Sequence, residues 1–215
     1  MPDVIFAGPA GRLEGRYHPA KRSNPPLAII LHPHPQFGGT MNNKAVYEMY
    51  HIFARRDFGV LRFNFRSVGR SQGEFDHGVG ELSDAATALD WLQALNPNGG
   101  PCWVAGFSFG AWIGMQLLMR RPEIVGFISV APPANLYDFS FLAPCPSSGL
   151  ILHGSGDQVV PAADVTRMVE RLRTQKGKVI DYTTVEGANH FFDHHGEEFT
   201  SVIEEYVDRR LANPE

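Results

Sequence analysis

Residues 102–115 read CWVAGFSFGAWIGM, and this stretch decides the architecture. Its first half, Cys102–Phe107, is an apolar run without alternation, as a strand buried on both faces requires. The stretch 109–120 carries helical periodicity and stops before Pro122. Between them stands Gly106-Phe107-Ser108-Phe109-Gly110, a G-x-S-x-G turn. Its glycines leave room for neighbouring backbone, so a sharp strand-to-helix turn can hold a serine hydroxyl out at the strand end. The pattern alone is weak; an apolar strand before it and a helix after it give it weight.

The same alternation extends in both directions. Segments 4–7 and 12–17, separated by Gly8-Pro9-Ala10-Gly11, read as two strands joined by a tight turn. Leu27–Leu31 and 60–65 read as buried strands, and 45–56 and 81–95 as helices. Beyond the serine, strands are expected at 125–131, 150–153 and 179–185 and helices at 162–174 and 199–211. Alternation on this scale predicts an α/β fold, a mostly parallel sheet with helices on both faces. No internal repeat or linker interrupts it, so residues 1–215 are expected to form one domain.

Ligands of such sheets lie at the carboxyl ends of the strands. After 150–153 comes Gly154-Ser155-Gly156-Asp157, and after 179–185 comes Glu186-Gly187-Ala188-Asn189-His190. Taken singly, Asp157 is a turn residue and His190 one of nine histidines. His194 and His195 are rivals, but they fall at or inside the next helix, which points them away from the strand ends. Taken together with Ser108, the set has a chemical logic. Ser108 is a poor nucleophile until a base takes its proton. His190 can do that and later protonate the leaving group, while Asp157 fixes the imidazole tautomer.

The order Ser108, Asp157, His190 resembles that of the α/β hydrolases, and the resemblance spans nearly the whole chain. It is nearer still to small capless bacterial serine hydrolases related, in a broad sense, to dienelactone hydrolases. His32-Pro33-His34-Pro35, Gly38-Gly39-Thr40-Met41, Asn43-Lys44, Arg62-Phe63-Asn64-Phe65-Arg66 and Gly69-Arg70-Ser71 carry it, with the three loops above. The resemblance implies an eight-stranded sheet, an N-terminal antiparallel hairpin and ester hydrolysis as default activity. Dienelactone hydrolases proper use a cysteine nucleophile; this chain has Ser108, so their substrate does not carry over.

A serine nucleophile also needs donors for the charge that develops on the substrate oxygen. The Phe109 backbone N–H, at a helix N-terminus, is one candidate. Leu31-His32-Pro33-His34-Pro35 should supply the other. Both prolines lack an N–H, and Pro35 pushes His34 toward an extended conformation, which leaves the His34 backbone N–H. The family pattern points to the same position. The two imidazoles could instead bind metal, but no third or fourth ligand lies nearby, so their side chains are expected to hold the loop.

Thr40, Asn42 and Asn43 read as a helix cap and Lys44 as a solvated first-turn residue. Arg66, Arg70 and Ser71 are expected to brace their loop, and Asp76 and His77 to form a surface turn or line the pocket rim. Only a short stretch separates 125–131 from 150–153, too short for a cap domain. An open site is therefore expected, with an apolar rim from Tyr137, Phe139, Phe141 and Leu142 of this stretch and from Phe37 and Phe191.

Bulk properties exclude other classes. A net charge of -4 without a basic block argues against nucleic acid. No apolar run approaches membrane-span length, and the N-terminus lacks the pattern of a signal peptide. Two distant cysteines, Cys102 and Cys145, exclude a disulfide framework and favour a cytoplasmic protein. The expected activity is cleavage of small carboxylic esters through an acyl-serine, without metal or cofactor. Thioesters, lactones, amides or acyl transfer use the same triad, and a non-catalytic binding protein on this fold is the reading from another class. An exposed edge strand would allow a homodimer.

Overall fold

The structure is a computed structural model that describes residues 3–142, 144–175 and 177–213. Eight strands form one sheet in the order β1-β2-β4-β3-β5-β6-β7-β8. They are β1 (Asp3–Gly8), β2 (Gly11–His18), β3 (Leu27–Leu31), β4 (Gly59–Phe63), β5 (Cys102–Phe107), β6 (Ile124–Val130), β7 (Gly149–Gly154) and β8 (Ile180–Val185). β1 and β2 form the expected hairpin, and β2 lies antiparallel to β4. Every other pairing is parallel. The helices among the described residues are α1 (Lys44–Arg55), α2 (Val79–Leu95), α3 (Phe109–Leu118), α4 (Ala162–Arg173) and α5 (Gly196–Ala212), with two short 3-10 turns.

The sheet is covered on both faces because its central strands present apolar side chains on both. On one face Ile29, Leu31 and Val104 pack with Leu89, Ile113 and Met168 from α2, α3 and α4. On the other, Ile30, Ala105 and Leu152 pack with Met49, Phe53 and Ile203 from α1 and α5. β3 alternates between these two cores residue by residue, which is why LAIIL shows no polar position. α3 is buried nearly all round and is accordingly apolar nearly all round.

Among the boundaries that differ from expectation are the end of β4 and the start of α5. β4 ends at Phe63: the Asn64 amide still bonds to β2, but the Phe65 amide leaves the ladder. Asn64 N–H goes to the Glu14 carbonyl at 2.9 Å and Phe65 N–H to the His32 ring at 3.0 Å. α5 starts at Gly196 rather than 199, with Glu197 and Glu198 in its first turn, where the dipole favours negative charge. Between β6 and β7, a single 3-10 turn at Ser140–Leu142 stands where a cap would be. Cys102 and Cys145 are both free and buried. No helix among the described residues is long and apolar enough to cross a membrane.

Candidate active site

Three loops at the carboxyl end of the sheet bring Ser108, His190 and Asp157 together. Parallel pairing of β5, β6, β7 and β8 places the residues that follow β5, β7 and β8 at one edge. His190 Nε2 lies 3.1 Å from Ser108 Oγ, and its Nδ1 lies 2.7 Å from Asp157 Oδ2. Asp157 Oδ2 can only accept, so Nδ1 carries the proton and Nε2 is left to take one from Ser108. The rival His195 caps α5, and His194 lies in the turn before it.

Ser108 adopts φ 54°, ψ -118°, a left-side backbone conformation costly for a non-glycine residue. Its surroundings enforce it. Ser108 N–H donates to the Val130 carbonyl at 2.9 Å, and its own carbonyl accepts from Ala111 N–H at 2.9 Å. A Cβ on Gly106 would collide with the Gly110 carbonyl, and one on Gly110 with the Leu31 carbonyl. The two glycines are therefore required by close backbone approach.

Asp157 is buried and held from both ends. Its Oδ1 accepts Val159 and Val160 N–H, each at 2.8 Å. Burial opposes its charge, but the His190 hydrogen bond and these two amides together keep the carboxyl below its ordinary pKa.

On the oxyanion side, His34 ends the extended stretch with φ -54°, ψ 123°. Neither His34 N–H nor Phe109 N–H has an acceptor among the described residues. The loop that carries His34 is closed by backbone bonds from Phe37 and Gly39 to the His34 carbonyl, at 3.1 and 3.0 Å. Gly38 takes φ 80°, and a Cβ on Gly39 would collide with the Pro33 carbonyl.

The His-Pro imidazoles do hold this loop. His32 is fully buried; Nδ1 donates to the Pro33 carbonyl at 2.6 Å and Nε2 accepts Phe65 N–H at 3.0 Å. Burial pushes its pKa down to about 4. Both ring nitrogens are occupied, so His32 has none left for a metal. His34 Nδ1 accepts Gln36 N–H, and its ring packs on Phe37, Phe75 and Phe109 at 4.6–4.9 Å. The described residues hold no cluster of three or more potential metal ligands.

Of the expected rim, Phe191 and Phe37 are exposed, beside His190 and His34 respectively. Phe139 is buried in the core and stacks at 6.1 Å on Phe141, which is partly buried against that core. Phe139 helps line a cleft of about 260 Å³ beside α4, whose walls contain none of the three candidate residues. The expected Tyr137 joins the Phe109 ring at 6.0 Å, together with Phe75 at 6.0 Å and Trp112 at 5.7 Å. Their helix and loop positions are far apart in sequence, so periodicity could not group them.

Around this centre, Asn43 alone of the expected cap residues caps α1, through Ala45 and Val46 N–H. Asn42 instead accepts from Arg62, and Thr40 from Asn42 N–H. Lys44 is exposed. The bracing role holds for Arg66, which pairs with buried Asp84 through two nitrogens at 2.9 and 3.0 Å. It holds too for Arg70 on Glu14 and for Ser71 on the Asn64 carbonyl. Asp76 and His77 are exposed, and Asp76 N–H is held by fully buried Glu81. Sequence reading missed Asp84, Glu81 and His153; His153 was detectable, being one residue from the end of a strand that leads to a candidate site.

Residues 16–143 match the family of X-Pro dipeptidyl-peptidases (S15 family), a span that contains His34 and Ser108 and stops before Asp157 and His190. A protein of unknown function from Agrobacterium tumefaciens, described as an α/β hydrolase, is 66% identical. It superimposes with a TM-score of 0.96 over 99% of this chain and 98% of that one. A lidless α/β serine hydrolase from Xanthomonas campestris is 32% identical, with a TM-score of 0.88 over 97% and 94% of the two chains. An uncharacterized protein of Rickettsia prowazekii is 54% identical over 96% of this chain and 89% of its own length.

Proposed function

This chain belongs to the lidless α/β serine hydrolases and to the X-Pro dipeptidyl-peptidase (S15) family, and from that membership we propose that it cleaves small carboxylic esters through an acyl-Ser108 intermediate. The observation that carries the reading is the continuous series Ser108 Oγ–His190 Nε2 and His190 Nδ1–Asp157 Oδ2, at 3.1 and 2.7 Å.

The steps follow from that geometry. Ser108 Oγ attacks the substrate carbonyl carbon as His190 Nε2 takes its proton. The carbonyl oxygen becomes an oxyanion, received by the unengaged N–H groups of His34 and Phe109. Asp157 stabilises the imidazolium and holds the ring in the productive tautomer. His190 then gives its proton to the departing alkoxide, and the C–O bond breaks. Water, deprotonated by the same His190, attacks the acyl-serine and releases the acid and Ser108. With only a 3-10 turn between β6 and β7, the carbonyl approaches from open solvent, which suits short or exposed esters.

The test is labelling by a fluorophosphonate probe, followed by a panel of acyl substrates. Stoichiometric labelling at Ser108 and burst kinetics on p-nitrophenyl acetate support an acyl-enzyme. A protein that never labels is a binding module on a hydrolase fold. Thioester, lactone and Xaa-Pro amide substrates in the panel place the leaving group, because all of them use the same triad. Ester turnover that survives Ser108→Ala overturns the reading.

A further inference from the structure

We propose that His153 is a positioning residue, a second imidazole that fixes the Asp157 carboxylate by anchoring the Val159–Val160 turn that holds it. This rests on the ester-hydrolase reading above.

His153 is the second-last residue of β7 and is fully buried. Its Nε2 lies 3.0 Å from the Val160 carbonyl oxygen. That oxygen can only accept, so Nε2 carries the proton and donates it. Nδ1 is then a bare lone pair, and it has no hydrogen-bond partner although it is buried. An orphaned buried acceptor is costly, and an aliphatic side chain would avoid it. Packing alone does not account for a histidine here.

What the ring does is visible around Asp157. Val160 is gripped from both sides: its N–H donates to Asp157 Oδ1 at 2.8 Å, and its C=O accepts from His153 at 3.0 Å. Asp157 takes its rotamer from the Val159–Val160 turn, and His153 ties that turn back to the sheet. The same Nε2–H lies 3.9 Å from Asp157 Oδ2, the oxygen that accepts from His190. At that distance its dipole favours the carboxylate without occupying the lone pair His190 uses.

The charged groups that face His153 are Asp157 and, when protonated, His190. Burial, reinforced by His190, pushes the pKa of His153 down against the opposing pull of the Asp157 charge and the Val160 hydrogen bond. A neutral ring is what the chemistry needs, since a second cation would oppose the imidazolium that forms on His190.

The experiment compares His153→Gln, whose amide N–H can reach the Val160 carbonyl, with His153→Met, which fills similar volume without a donor. His153→Met is expected to lower kcat for a short ester at least about tenfold with KM little changed, as misplacement of a catalytic group does. Its acid limb of kcat/KM should shift to lower pH, because a loosened carboxylate stabilises the imidazolium less. The low-field proton resonance between His190 and Asp157 should weaken with it. His153→Gln should recover most of the rate, the limb and the resonance.

Wild-type kcat and acid limb in a folded His153→Met protein overturn the proposal. So does an equal loss in both variants that tracks their thermal stability, which marks a packing role. Should His153→Met not fold, His153→Asn, one carbon too short for Val160, takes its place with the same expectations. Ester turnover that survives Ser108→Ala would sink the functional reading itself. Ser108-dependent turnover that is indifferent to His153 would sink only this proposal.

Discussion

His32 Nε2 accepts the backbone N–H of Phe65 at 3.0 Å, so the loop after β3 and the residues after β4 are pinned to one buried imidazole. The ring pays no charge for this. Its pKa is about 4 in the fold, against 6.5 in an unfolded chain. As pH falls, the unfolded chain therefore binds a proton first. The stability that depends on a neutral His32 is whole above about pH 6.5 and is lost as pH falls toward about 4. For a fully buried ring this amounts to up to about 3 kcal/mol. His32→Gln should lose less stability than wild type across that window. Urea midpoints at pH 7 and 4.5 test it; parallel losses in the two proteins would contradict it.

The oxyanion assignment for His34 concerns its backbone, and proline can remove a backbone N–H. The observed φ of -54° already suits a proline ring. His34→Pro should reduce kcat by roughly 10²–10³-fold, the usual effect of losing one such donor. His34→Ala keeps the N–H and should stay well above the proline variant. Equal activity in the two would place the oxyanion elsewhere.

Asp157→Asn keeps the size of the side chain and presents an amide to His190. The imidazole should then rotate or change tautomer, and Nε2 should no longer accept the Ser108 proton. We expect kcat to fall on the order of 10⁴-fold with the fold intact. A deficit under tenfold would mean that Asp157 is not the orienting acid.

Arg66 and Asp84 form a buried two-point ion pair, and Asp84 Oδ2 also accepts Arg66 backbone N–H at 3.0 Å. Arg66 packs so closely on α2 that a Cβ on Gly80 would collide with its guanidinium. Asp84→Ala leaves the buried Arg66 only the exposed Asp76, 3.9 Å away, as an ion-pair partner, and should destabilise toward the lower end of about 3–5 kcal/mol. Denaturant unfolding measures this. A cost under about 1 kcal/mol would show that solvent reaches the pair.

The strand-turn-helix stretch around Ser108, the alternation on either side of it and the order Ser108, Asp157, His190 were all legible in the linear chain. They rest on local physics: runs of apolar residues that only a two-sided sheet can bury, and glycines that only a crowded turn requires. That the His-Pro imidazoles hold their loop could also be reasoned, from the want of further ligands. Tertiary structure decided what distant segments do to one another. It buried Phe139 in the core and left Phe37 and Phe191 at the surface, although all three are the same residue type between the main strands and helices. It paired Arg66 with Asp84 of α2, gathered Phe75, Trp112 and Tyr137 around Phe109, and set His153 against the turn that holds Asp157. Local sequence encodes whether a segment can be a strand, a turn or a helix. Which side chains meet depends on how the sheet brings those segments together.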